Sequence, residues 1–176
     1  RRIGAKEEES FFTGDGTGKP LGVLAETGGA EVGVTAASAT AITADELIEL
    51  QAQVKQVYQA NACWTMAPET FTSLKKLKDS NGRYLLQDDV TGEFPYRLLG
   101  KPVYLSDNMP KLAAGASAVL YGDYSGLSVN LREDISIQVL REKYATQHAI
   151  GVVAWFEFDS KVTDSQKLAV LNMKSA

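Results

Sequence analysis

The sequence is poor in the residues that most catalytic sites and most covalent staples require. A single cysteine, Cys63, in 176 residues rules out an internal disulfide and, with it, a disulfide-stapled secreted fold. A single histidine, His148, excludes a Cys/His zinc site built within one chain. Basic residues are not in surplus: 18 Lys and Arg against 22 Asp and Glu leave a net charge of -4, so no basic face advertises a nucleic-acid partner. No uninterrupted apolar run is long enough for a membrane-crossing helix, and no basic stretch leads into an apolar core as a signal peptide would. The longest single-sign block, Glu7-Glu8-Glu9, reads as a solvated helix face.

What is present suffices for a core. A hydrophobic fraction of 44% with 23% charged residues is ordinary for a globular chain, and the length falls in the one-domain range. The sequence opens at Arg1-Arg2-Ile3 without an initiator Met, and Arg1 to Phe12 reads as the end of a helix already under way, so upstream sequence is expected.

That first helix should stop at Thr13-Gly14, before the glycine-rich Gly14-Asp15-Gly16-Thr17-Gly18. Residues 25–41 are small, polar or β-branched around Gly28-Gly29 and predict a long loop or weak edge hairpin. Thr43-Ala44-Asp45-Glu46 is a capping box: the Thr43 hydroxyl can accept an orphan N–H while the Glu46 side chain reaches back. Leu47, Leu50, Val54, Val57 and Tyr58 follow at helical spacing. Cys63 to Met66 reads as a short strand. Pro68 then opens a second helix at its first position, with Phe71, Leu74 and Leu77 as its apolar stripe and Asn81-Gly82 as its stop.

From residue 100 onward the texture is that of strands. Val103 to Leu105 and Val119 to Tyr121 are short β runs, and Ile135, Ile137 and Val139 alternate with Ser136 and Gln138. In Ala149 to Phe158, Ile150, Val152, Ala154, Phe156 and Phe158 occupy one face and Val153 and Trp155 the other, so cover is needed on both faces, and this chain is expected to expose apolar strand surface that further sequence would cover. Leu168 to Met173 is a last strand. Helices followed by strands, without βαβα alternation, give an α+β architecture.

The candidate chemical motifs do not assemble into a site. Gly14 to Gly18 invites a phosphate-binding reading, but Gly18-Lys19 is followed by Pro20 where a phosphate loop needs Ser or Thr opening a helix, so a tight turn with positive φ is the better reading. Asp79 to Gly82 lacks the alternating oxygen ligands of a calcium loop. Asp88, Asp89 and Glu93 read as solvated loop acids. Cys63 and His148 could form a nucleophile–base pair, but no third group stands out to orient them, and both Trp64 and Trp155 read as core. Neither metal nor cofactor is expected, and no enzymatic activity.

Several segments, taken in order, resemble the major capsid protein family of tailed bacteriophages, which has the Hong Kong 97-type shell fold. They are Phe12-Thr13-Gly14-Asp15-Gly16-Thr17-Gly18-Lys19-Pro20-Leu21-Gly22, then Trp64 to Thr70, then Leu77 to Leu85. After these come Leu99-Gly100-Lys101-Pro102-Val103 with Ser106 to Pro110, and Tyr121 to Ser125 ahead of Val139 to Glu142. One departure is Ala67, where the family often has an Asn that could cap the following helix.

The resemblance implies a phage major-capsid fold in which residues 1–12 end a spine helix and 13–130 form an axial domain. Residues 131–164 would then be part of a peripheral domain, and 165–176 a strand returning to the axial domain. It implies a shell subunit forming hexamers and pentamers of an icosahedral capsid around DNA, assembled in the bacterial host cytoplasm and resident in the virion. Its partners would be further copies of itself, with a scaffold or maturation protease, and neither sequence-specific nucleic acid nor membrane. The loop from Gln87 to Pro95 would point at the five- or six-fold axis, making Gln87, Asp88, Asp89, Thr91, Glu93 and Phe94 the candidate interface residues. The Lys–Asn cross-link of some members is not expected, because its Lys lies in a segment this sequence lacks and no Asn occurs between Leu131 and Leu171. Two alternatives remain: an encapsulin-type compartment shell, and a phosphate-binding enzyme using Gly14 to Gly18.

Overall fold

A computed structural model describes residues 2–77, 96–140, 143, 146 and 150–175. The first helix, α1 (Arg2–Thr13), stops where the sequence predicts, and its end is closed by the Gly14 N–H donating to Ser10 O at 3.0 Å. The glycine-rich segment is a turn and not a cradle. Gly16 and Gly18 have φ of 72° and 68°, the Asp15 carboxylate accepts the Thr17 N–H at 3.0 Å, and Asp15 bridges to Leu21.

Helix α2 (Ala44–Gln53) starts on the predicted capping box: Thr43 Oγ1 accepts the Glu46 N–H, and the Glu46 carboxylate accepts the Thr43 N–H. Its end corrects the sequence reading. Val54 is already extended (φ -79°, ψ 126°), Gln56–Asn61 form a 3-10 helix, and Val57, expected in the apolar stripe, is 83% exposed. The cause is Gln59, whose side-chain amide donates to Gln51 O and Val54 O at 2.7 and 3.0 Å. It thereby satisfies carbonyls that another helical turn would have used. Helix α3 (Pro68–Lys75) begins at the predicted proline and buries Thr70, Phe71 and Leu74. It ends at Lys75, short of Leu77 and of the expected stop at Asn81-Gly82, which itself lies outside the described residues: the Lys76 and Leu77 N–H groups turn back to Ser73 O at 3.2 Å and Leu74 O at 3.0 Å and close the last turn.

The strands form two sheets. In order along the chain they are β1 (Glu31–Thr35), β2 (Cys63–Met66), β3 (Arg97–Leu98), β4 (Lys101–Leu105), β5 (Ser117–Gly122), β6 (Leu127–Leu140), β7 (Gly151–Val162) and β8 (Leu168–Asn172). Six of them make a mixed sheet ordered β1-β8-β5-β2-β4-β3, while among the described residues β6 and β7 pair only with each other as a long antiparallel hairpin. Strand β1 replaces the expected loop or hairpin: it lies parallel to β8, with a bulge between Val32 and Val34. Gly33 sits close under α2 there: a Cβ would lie 3.0 Å from the Leu50 side chain of α2 and 3.1 Å from Ala169 of β8, so its neighbours would have to shift to admit one.

The six-stranded sheet is covered on both faces. On one side α2 and α3 bring Leu47, Leu50, Phe71 and Leu74 onto Trp64, Val119, Tyr121 and Leu171. On the other, Phe12 of α1, Val23 and Val162 pack on Leu120, Leu168 and Val170. Strands β2 and β8 are accordingly buried at successive residues without alternation, Thr65 being the one buried polar side chain in β2. Trp64 sits at the centre, its indole N–H donating to Leu98 O at 2.9 Å and its ring 4.3 Å from that of Tyr121. Deep burial raises the Tyr124 phenol well above its ordinary range, and its hydroxyl donates to Thr65 Oγ1 at 2.6 Å.

Candidate assembly surfaces

The hairpin is the feature that a single chain leaves unfinished. Residues directly opposite one another across an antiparallel pair share a face. The register sets Leu131 against Phe158, Ile137 against Ala154 and Val139 against Val152. With Phe156 and Ile135 at alternating positions, these make one continuous apolar face along both strands. The opposite face pairs Asn130 with Asp159, Ser136 with Trp155 and Gln138 with Val153.

The exposed apolar strand surface agrees with expectation, while the reading of two equally apolar faces is corrected. Val153 and Trp155 sit among polar neighbours, and Trp155, expected in the core, is 58% exposed. The reason is topological: among the described residues no third strand joins the hairpin to extend cover over the face that Trp155 shares with Ser136 and Gln138.

Helix α1 covers only the lower part of the apolar face. The Phe11 ring meets that of Phe158 edge-on at 5.3 Å, and Phe158 stacks on Phe156 at 5.2 Å. Further along, Ile3 and Lys6 stand across an open gap from Ala154 and Phe156. Beyond α1 the face is bare: Ile137 is 67% exposed and Val152 66%. Val129 and Leu131 complete the face near its base, and sequence reading missed both. Their alternation with Ser128 and Asn130 was a usable signal, broken by Arg132-Glu133-Asp134, where the register shifts around Glu133.

The candidate loop residues Gln87, Asp88, Asp89, Thr91, Glu93 and Phe94 lie outside the described residues, as do His148 and the Asp79 to Gly82 segment. Cys63 is buried on β2, its thiol pushed up to about 11 by burial, with the Asp123 carboxylate adding to the shift. A thiol so held is a poor nucleophile. Among the described residues, no group of three His, Cys, Asp or Glu is placed to hold a metal ion. No helix among them is long and apolar enough to cross a membrane.

Several known structures superpose on nearly the whole of this chain. The capsid of a GTA particle superposes with a TM-score of 0.83 in its empty form and 0.85 in its native form, at 27% and 28% identity. Both matches cover 99% of this chain, which spans 64% and 68% of those chains. A chain of Gordonia phage Cozz superposes with a TM-score of 0.69 at 15% identity, over 99% of this chain and 61% of that one. The holo-SrpI encapsulin complex from Synechococcus elongatus PCC 7942 does so with a TM-score of 0.69 at 17% identity, over 97% and 62%. No curated protein sequence matches. The phage capsid family model matches residues 1–173, and the chain belongs to that family.

Proposed function

We propose that this chain is the shell-forming part of a major capsid subunit, one that self-assembles into the hexamers and pentamers of an icosahedral head enclosing DNA. The observation that carries the reading is the apolar face of the β6–β7 hairpin. A row of Ile135, Ile137, Val139 and Val152, each at least half exposed, is what a surface buried by assembly looks like in an isolated chain. On this reading the protein is not an enzyme and uses neither cofactor nor metal. The buried, unactivated Cys63 and the turn at Gly14 to Gly18 both support that.

The partners on this reading are other copies of the chain, with a scaffold or maturation protease acting during assembly, and neither sequence-specific nucleic acid nor membrane. The protein would reside in the virion after assembly in the bacterial host cytoplasm. The division into residues 13–130 as axial domain, 131–164 as part of the peripheral domain and 165–176 as return strand is part of the proposal. It is supported by β8 pairing inside the six-stranded sheet while, among the described residues, β6 and β7 pair only with each other.

Electron microscopy of the protein tests the reading directly: closed shells are expected. Ile137→Lys, on the bare part of the hairpin face, should abolish them while leaving the melting temperature of the unassembled chain nearly unchanged. Shells that form equally well with Ile137→Lys would refute the role of the face. The encapsulin likeness supports a second reading, a compartment shell, which co-purification with a cargo-loading peptide would favour. Saturable nucleotide or phosphate binding at Gly14 to Gly18 would favour an enzyme.

The loop bearing Gln87, Asp88, Asp89, Thr91, Glu93 and Phe94 is proposed to face the symmetry axis, so that Asp88, Asp89 and Glu93 repeat around one ring. At ~8 Å and an effective dielectric near ~20, one like-charge pair costs about 2 kcal/mol before screening. Capsomer formation should then strengthen with salt, and Asp88→Asn with Asp89→Asn should remove that dependence. An unchanged salt dependence would leave the acidic ring without a role.

A further inference from the structure

Helix α1 touches two parts of the molecule with residues one turn apart on the same side. Toward the hairpin it presents Phe11 to Phe158. Toward the sheet it presents Glu8, whose Oε1 accepts from Ser106 Oγ at 2.5 Å and whose Oε2 accepts from Asn108 Nδ2 at 2.9 Å. Both donors come from a segment about a hundred residues away in the chain, so this contact is purely tertiary.

The receiving segment is well anchored. Ser106 is buried, its N–H donates to Met66 O at 3.1 Å at the end of β2, and its Oγ also accepts the Asn108 N–H at 3.1 Å. The donors that meet Glu8 are therefore tied to the central strands of the six-stranded sheet. The hairpin is held less firmly. Among the described residues it pairs with no other strand, and near its base it is tied by the reciprocal contacts of Leu21 with Ser160, while the Thr163 N–H and hydroxyl both donate to Gly126 O and join the hairpin's two ends. An angle between hairpin and sheet set only at that base would be soft. The carboxylate of Glu8 adds a tie well outside the base, on the helix that braces the hairpin.

We propose that Glu8 is a positioning residue: with Ser106 and Asn108 it clamps α1, and through Phe11 the hairpin, at a set angle to the six-stranded sheet, and opening the clamp frees that angle. The clamp works by hydrogen-bond geometry more than by charge. A Gln at this position can accept from Asn108 through its Oε1 and donate through its Nε2 to the Ser106 hydroxyl, which serves equally as acceptor. An Asp is one methylene too short to reach both.

The test is a distance distribution between spin labels at Gln138→Cys on the hairpin and Ala52→Cys on α2, in the 176-residue chain with the buried Cys63 left unlabelled. With Glu8 intact a single narrow distribution is expected. Glu8→Ala and Glu8→Asp should broaden it or add a second distance, Ser106→Ala with Asn108→Leu should do the same, and Glu8→Gln should restore the narrow form. Native-state hydrogen exchange separates hinge release from unfolding. In Glu8→Ala the amides of α1 should exchange about tenfold faster while those of β2, β5 and β8 keep their protection. A Glu8→Ala distribution superimposable on the parent would overturn the proposal. So would a Glu8→Gln variant as broad as Glu8→Ala, or acceleration spread equally over α1 and the sheet.

Discussion

Replacing Glu46 should weaken the fold at one defined place. Its carboxylate is 8% exposed and accepts the Ala37 N–H at 2.7 Å and the Thr43 N–H at 2.8 Å, so it closes the loop between β1 and α2 as well as capping α2. Hydrogen bonds to a charged acceptor contribute about 1.5–3 kcal/mol each, but the exposed Ala37 amide can turn to water, so Glu46→Ala should cost about 2–4 kcal/mol in total. Glu46→Gln keeps one acceptor and should cost about half as much. Urea unfolding followed by the fluorescence of the buried Trp64, with Trp155→Phe to remove the exposed indole, should show a lower midpoint at unchanged slope. The pH dependence has a fixed sign. Burial pushes the Glu46 carboxyl up, but the Ala37 and Thr43 amides together outweigh it and hold the group below its ordinary value. The folded state then binds fewer protons than the unfolded one, so this stabilisation is fully present above the unfolded carboxyl value near ~4.3. It is lost as pH falls through the lower folded value. Glu46→Gln should therefore lose less stability than the parent on acidification below pH ~4.5. An equal acid slope in the two proteins would refute the assignment.

Three further substitutions probe the local arguments. Leu99 has a φ of 49° beside Gly100 at 78° in the two-residue turn joining β3 to β4, a geometry that favours Asn-Gly, so Leu99→Asn should raise stability by about 1 kcal/mol in urea. Gly122 ends β5 at a φ of 149°, and a Cβ there would fall against the Lys167 carbonyl oxygen, so Gly122→Ala should destabilise by more than ~3 kcal/mol or yield insoluble chain. Thr70 is fully buried in α3 and its Oγ1 has no hydrogen-bond partner among the described residues, so Thr70→Val should be neutral or raise the melting temperature, and a marked drop would reveal a partner for the hydroxyl.

Local signals carried far in this chain. The Thr43–Glu46 box, the proline opening α3 and the glycine-rich stop after α1 act through near neighbours, so their residues alone determined where those helices begin or end. The apolar runs at Cys63 to Met66, Val119 to Tyr121 and Leu168 to Met173 likewise mark β2, β5 and β8, because strands covered on both faces have little freedom in composition. The order of segments such as Leu99 to Val103 and Tyr121 to Ser125 was enough to point to the capsid family. What lies between distant residues was not legible. Strand β1 pairs with β8 with Gly33 close under α2, and no pattern within residues 25–41 announces either neighbour. The early end of α2 depends on the Gln59 amide reaching back to two carbonyls, which overrides an apolar period running on to Tyr58. Alternation in β6 and β7 tells which side chains share a face, but how much of that face α1 covers depends on where a helix more than a hundred residues earlier comes to rest. Periodicity determines the face of an element; only the tertiary structure decides what, if anything, lies against it.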